Sequence, residues 1–165
     1  MPARNNVTRM LDAKKVAYTP VEYDSARFHS ADEVARLIGA PAGQVFKTIV
    51  VLAETKGRRP LLVILPGDRE IDLRRLAAAV GEKKLRPAPQ REAESLTRLQ
   101  VGGISALALI GRPFDVYLDR AAERYAEDGI YVSAGQRGLN LRLRPTDLLA
   151  LTGGHWVDAS AADPA

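Results

Sequence analysis

The apolar positions of this chain fall into short runs with two different periods, and those runs lay out its elements in order. Between residues 6 and 15, Val7, Met10 and Leu11 recur at helical spacing, with Asn5 or Asn6 placed to cap the first turn. Tyr18-Thr19-Pro20-Val21-Glu22-Tyr23 reads as a strand. Pro20 has no N–H to give to a ladder, so that strand belongs at a sheet edge. Ser30-Ala31-Asp32-Glu33 is a capping box opening a helix through Val34, Leu37 and Ile38, which Gly39 closes. Residues 45–52 are dominated by β-branched and other apolar side chains, the pattern of a buried strand. Residues 60–66 form the most uniformly apolar run and are expected beside it, across a hairpin loop containing Gly57.

The second half continues in the same way. Asp72 caps a helix whose Leu73, Leu76, Ala77 and Val80 line one face before Gly81 ends it. Residues 83–89 read as extended and 90–99 as a short helix. Residues 113–119 form a strand, followed by a short helix through Ala122 and Tyr125. Two strands, 130–133 and 139–143, make a hairpin around the loop 134–138. Pro145 and Asp147 open a last helix, and Gly153-Gly154 stops it. Hairpins mixed with longer crossovers predict a single α/β domain over residues 1–158, with helices around one mixed, strongly curved, barrel-like sheet. Residues 159–165 are small and polar and are expected to be a flexible tail.

One residue breaks the apolar pattern in a way that bears on chemistry. Lys47 stands near the start of the buried strand 45–52, where an uncompensated charge costs several kcal/mol. Its ammonium must therefore reach solvent past the strand end, find a partner, or open into a cavity. A second interruption is Gly102-Gly103, which is either a plain turn or a pair of amides able to cradle an anion.

Composition narrows the chemistry further. The 165 residues are 46% hydrophobic and 27% charged, ordinary for one folded domain. With no cysteine, a thiolate metal site and a protein thiol nucleophile are excluded. The two histidines, His29 and His155, lie far apart and argue against a histidine-rich metal centre; no cofactor is expected, and neither ring has a patterned partner. No Walker loop, G-x-S-x-G, H-E-x-x-H or dinucleotide fingerprint is present. The net charge of +4 is compatible with a polyanionic partner, and the basic residues fall in small clusters, of which Arg58-Arg59 and Lys83-Lys84 are the candidates for meeting RNA. The N-terminus lacks the apolar stretch of a signal peptide and no segment reaches membrane-spanning length, so the cytoplasm is the expected location and no membrane partner is expected.

Three motifs, Phe46-Lys47-Thr48, Val101-Gly102-Gly103-Ile104-Ser105 and Tyr131-Val132-Ser133-Ala134-Gly135-Gln136-Arg137-Gly138-Leu139, occur in an order and at separations that resemble the YbaK/EbsC family of aminoacyl-tRNA deacylases. The editing domain inserted in bacterial prolyl-tRNA synthetases is related to that family. The resemblance runs from the first helix to Trp156-Val157-Asp158 and implies a trans-acting editing hydrolase, most similar to the branch acting on Cys-tRNA(Pro). It implies tRNA as a partner, with prolyl-tRNA synthetase as an accompanying one. It implies Lys47 as the essential polar side chain. Tyr23, Ser30, Thr48, Gly102, Gly103, Ile104, Ser105, Ser133, Gly135 and Asn140 would bind the aminoacyl end, and the substrate's own thiol would act as nucleophile. Ser30 stands where the family enzyme for cysteine has an aromatic residue, and Asn140 where it has an aspartate. Ala106 follows the glycine loop in place of the usual proline. These departures leave two alternatives open: a deacylase for another small amino acid such as alanine, or a binding module without turnover.

Overall fold

Caps set the helix boundaries of this computed structural model, which describes residues 4–161. Asn5 and Thr8 satisfy each other's orphan groups at the start of α1 (Asn6–Ala13). The Ser30–Glu33 capping box opens α2 (Ala31–Ile38), and Gly39, at φ 73°, closes it in the left-handed region where a side chain would be strained. Asp72 opens α3 (Leu73–Val80) by accepting from the Arg75 amide. Two more helices follow, α4 (Gln90–Thr97) and α5 (Pro145–Thr152), the latter with proline in its first turn as the sequence predicts.

The strands are β1 (Thr19–Glu22), β2 (Phe46–Ala53), β3 (Leu61–Pro66), β4 (Leu85–Pro87), β5 (Asp115–Asp119), β6 (Ile130–Ser133), β7 (Leu139–Leu143) and β8 (His155–Val157). They form two open sheets rather than the one barrel-like sheet expected: a three-stranded one in the order β1-β7-β6 and a five-stranded one in the order β4-β2-β3-β5-β8. Pro20 does sit on an edge strand, opposite Leu141. Between the sheets a single parallel bridge, Val45 to Tyr131, brings β6 alongside the start of β2.

β2 and β3 are antiparallel, with Lys47 opposite Leu65 and Thr48 opposite Ile64. Every residue of β3 is buried, because both faces of its sheet are covered. Leu62 and Ile64 join the main core with Phe46, Val50, Leu118 and Leu141. Leu61 and Val63 join a second cluster with Val51 and the α3 residues Leu76 and Ala77. Two-sided burial is the reason this strand reads as a continuous apolar run rather than an alternating one.

The C-terminal expectation is corrected at residues 159 and 160. Ala159 and Ser160 are buried, and the carboxylate of Asp119 accepts hydrogen bonds from both their amides and from the Ser160 hydroxyl. The tail therefore does not begin at 159; its residues 162–165 lie outside the described residues. β8, which pairs in parallel with β5, was not anticipated as a strand.

Candidate active site

The two sheets and α2 meet around a cavity of about 220 Å³. β2 supplies one wall. Alternation along it places Phe46, Thr48 and Val50 toward the main core and Lys47, Ile49 and Val51 toward the opposite face. Because the cavity lies at the beginning of the strand, where α2 rather than another strand covers it, residues of both faces line it from Val45 to Ile49. Lys47 donates from Nζ to the Gly67 carbonyl at 3.4 Å, and among the described residues no carboxylate pairs with it. Of the three fates open to this lysine, it combines two: it lines the cavity and has a carbonyl partner there.

The neighbouring hairpin adds two polar groups. Ser133 and Asn140 stand directly opposite each other across β6 and β7, and both line the cavity. The Ser133 hydroxyl accepts from the Gly135 amide at 3.1 Å, which leaves its own proton free to donate. Asn140 is buried, and among the described residues its carboxamide has no hydrogen-bond partner.

α2 and the segment before it close the cavity with Tyr23, Phe28, His29, Ser30, Ala31 and Val34. His29 is the unexpected member. Its side chain is only 9% exposed, and Nδ1 lies 3.2 Å from Oε2 of Glu33 one turn into α2. A carboxylate can only accept, so Nδ1 carries the hydrogen. Hydrogen bonds from His29 and from the Ser30 backbone hold the Glu33 carboxyl below its ordinary range. The Tyr23 ring meets the imidazole edge-on, with centroids 6.3 Å apart.

Gly67 also escaped the sequence reading. A Cβ at this position would lie 2.4 Å from the Ala31 Cβ and 2.9 Å from the Val45 carbonyl oxygen, so only glycine lets α2 settle against the start of β2.

The glycine loop is a turn and a wall, not an open anion cradle. The Gly103 amide donates to Gln100, and the Val101 amide to Glu94 Oε2, both at 2.8 Å. Val101, Gly102 and Ile104 line the cavity. Gly103 instead passes against the backbone of Gln136 and Arg137, where a Cβ would come within 3.0 Å. Arg137, from the third of the sequence motifs, braces the two loops. Its Nε donates to the Val101 carbonyl at 2.7 Å and its guanidinium lies over the Phe28 ring.

Of the expected site residues, the structure brings Tyr23, Ser30, Lys47, Thr48, Gly102, Ile104, Ser133 and Asn140 around one cavity. Three stand off it. Gly103 supports the loop crossing just described, and Ser105 is buried, its hydroxyl accepting from the Ala108 amide. Gly135 borders a separate surface recess beside Asn5 and Leu107. The Arg58 guanidinium, one RNA candidate, is engaged internally with Glu82, Asp115 and the Tyr117 hydroxyl. Among the described residues no cluster of three or more His, Asp or Glu side chains could hold a metal ion, and no helix is long and apolar enough to cross a membrane.

Comparison of the sequence and the fold with known proteins assigns the chain to a class. The profile of the aminoacyl-tRNA editing domain matches residues 26–151. EbsC of Enterococcus faecalis, provisionally named a Cys-tRNA(Pro)/Cys-tRNA(Cys) deacylase, is 34% identical over 161 residues, which is 97% of this chain and 95% of that protein. The prolyl-tRNA editing protein ProX of Acetoanaerobium sticklandii is 29% identical over 123 residues, 74% of this chain and 69% of that one. A crystal structure described as a proposed trans-editing enzyme for prolyl-tRNA synthetase superposes with a TM-score of 0.75 at 26% identity, covering 97% of this chain and 100% of that one. The chain belongs to the YbaK/EbsC family of aminoacyl-tRNA editing domains, hydrolases that act on the ester of a charged tRNA.

Proposed function

We propose that this protein removes cysteine from mischarged tRNA(Pro), acting in trans and in association with prolyl-tRNA synthetase. The observation that carries this reading is the cavity itself: about 220 Å³, below the usual range for a drug-sized ligand, and holding a lysine with no carboxylate partner. A space of that size suits one small aminoacyl group. The name of EbsC supports the cysteinyl substrate, and that of ProX supports prolyl-tRNA editing.

The chemistry asks little of the protein. An aminoacyl ester is already activated, so hydrolysis needs a nucleophile held near the carbonyl and donors for the developing oxyanion. Lys47 is the cation beside the ester, where it steadies the substrate and the charge that develops. The Ser133 hydroxyl and the free carboxamide of Asn140 hold the polar end of the amino acid, with Thr48 and Tyr23 beside them. Val101, Gly102 and Ile104 form the face against which the aminoacyl group lies. The cysteinyl thiol is the nucleophile, closing on its own carbonyl to release the tRNA. Asn140 offers the substrate ammonium a neutral oxygen where the related cysteine enzyme offers a carboxylate, which lowers the affinity by the difference between a charged and a neutral hydrogen bond, about 1 kcal/mol. Phe28, two residues before Ser30, restores an aromatic wall to the cavity.

The test is deacylation of Cys-tRNA(Pro) and Ala-tRNA(Pro), side by side, by the wild type and by Lys47→Ala. We expect a cysteine-selective rate that falls about 10²–10³-fold in the variant. Preference for alanine would reassign the substrate, and a folded protein inactive on both would leave a binding module.

A further inference from the structure

We propose that His29 is the general base of this site, its Nε2 taking the thiol proton of the cysteinyl substrate while Glu33 holds the imidazole in the required tautomer. The inference rests on the deacylase reading above and adds to it the group that moves the proton. Three observations carry it.

First, the lining of the cavity holds three side chains that can carry a proton, Tyr23, His29 and Lys47, and of these side-chain types imidazole is the one that most often serves as a general base. Second, the tautomer is fixed. Nδ1 donates to Glu33 Oε2 at 3.2 Å, so the lone pair sits on Nε2, and among the described residues Nε2 has no hydrogen-bond partner. A base, its orienting carboxylate and a cavity for the reacting group are the arrangement by which nucleophiles are activated on many unrelated folds. Third, the ring is held in place by the Tyr23 ring packed edge-on and by burial to 9% exposure, so little reorganisation stands between the resting and the reacting geometry. The chain's other imidazole, His155, lies on β8 beside Tyr117 and off the cavity lining.

The step balances without any further reactant. A cysteinyl thiol, with an ordinary pKa of about 8.5, is mostly protonated at neutral pH. Nε2 accepts its proton, the sulfur forms a bond to the ester carbonyl carbon, and the bond from that carbon to the ribose oxygen breaks. The imidazolium then gives the same proton to the departing ribose oxygen, leaving a cyclic thiolactone, free tRNA and a neutral His29. Around the ring, Glu33 of α2 is in contact with it, Lys47 of β2 lines the same cavity, and the Tyr23 ring packs against it from just past β1. The Glu33 carboxylate, in contact with Nδ1, is placed to stabilise the imidazolium that forms in the step.

The experiment is the pH profile of kcat/KM on Cys-tRNA(Pro) for wild type, His29→Gln and Glu33→Gln. The wild type should rise with pH along an acidic limb to a plateau. His29→Gln should lose that limb and lie about 10²-fold lower on the plateau. Glu33→Gln keeps a hydrogen-bond acceptor for His29 and the capping box but removes the charge, so the limb should move to lower pH by about half a unit and the plateau drop a few-fold. Should His29→Gln fail to fold, the direction of the Glu33→Gln shift carries the test. The proposal is overturned if His29→Gln retains the limb and stays within about threefold of wild type, or if the Glu33→Gln limb does not move. A folded wild type without activity on any mischarged tRNA would overturn the deacylase reading and this inference with it, a result distinct from an active enzyme that ignores His29.

Discussion

The two walls of the cavity are built on opposite principles. β2 holds Lys47 and Thr48 on a strand hydrogen-bonded to the wholly buried β3, so their backbone has nowhere to go. The facing wall, Tyr23 to Ser30, contains neither helix nor strand. It is tied by the Tyr23 amide to the Gly138 carbonyl at 3.0 Å, by the His29–Glu33 contact and by the capping box of α2. The fixed cation belongs to the rigid frame, while the aromatic rings and the imidazole belong to a segment held by few bonds. A frame that fixes position and a loop that supplies reacting groups is a common division of labour, because loops tolerate the geometry that side chains need.

The comparison can be broken at several points. Lys47→Ala should be the largest loss, about 10²–10³-fold in deacylation with little change in Tm, since the side chain donates only one long hydrogen bond. A Tm falling in step with activity would mean that the frame, not the charge, had been damaged. Gly67→Ala attacks the seam between the walls. With a Cβ 2.4 Å from that of Ala31, α2 must shift, at a cost of about 1–3 kcal/mol that denaturant unfolding would read, together with reduced activity. Ser30→Ala touches only the loop wall. It should lower stability by about 1 kcal/mol, a Tm decrease of about 2–4 °C. An accompanying change in KM would show that the hydroxyl touches substrate as well as capping α2.

The smallest effect sharpens the loop wall alone. Glu33 has its carboxyl held low in the folded state, so its ionised form is favoured by folding. That contribution is present above the ordinary value of 4.5 and is lost as pH falls through the lowered one. The stability difference between wild type and Glu33→Gln should therefore be visible near neutrality and close as the solution is acidified, followed by thermal unfolding at stepped pH. A difference that persists unchanged into acid would assign it to packing rather than to the carboxylate.

The same contrast explains which parts of the molecule are legible in its sequence. Caps and stops at Asn5, Ser30, Gly39, Asp72, Gly81 and Gly153 are local, and each fell where the sequence placed it. The frame wall was legible too, because a lysine in an apolar strand is conspicuous. Phe28, His29 and Gly67 were not, since no local pattern marks their place: Gly67 meets Ala31 and Phe28 meets Gly102 and Arg137, contacts made across long stretches of chain. The division into two sheets was hidden for a similar reason: alternation marks strands without naming their partners. β8 is three residues long, too short for a periodic signal.

Residues 159 and 160 look dispensable by composition, yet they supply most of the hydrogen bonds to Asp119, a carboxylate 3% exposed; the Ala121 amide is the other donor. Asp119 ends a strand that lies between β3 and β8 in the larger sheet. During synthesis that strand follows β3 but precedes β8 and residues 159 and 160, and a buried carboxylate lacking its donors costs several kcal/mol. The Asp119 carboxylate consequently gains most of its hydrogen bonds only once residues 159 and 160 are made. The ribosome delivers the lysine wall early, whereas the β5–β8 side of the same sheet is completed late in the described chain.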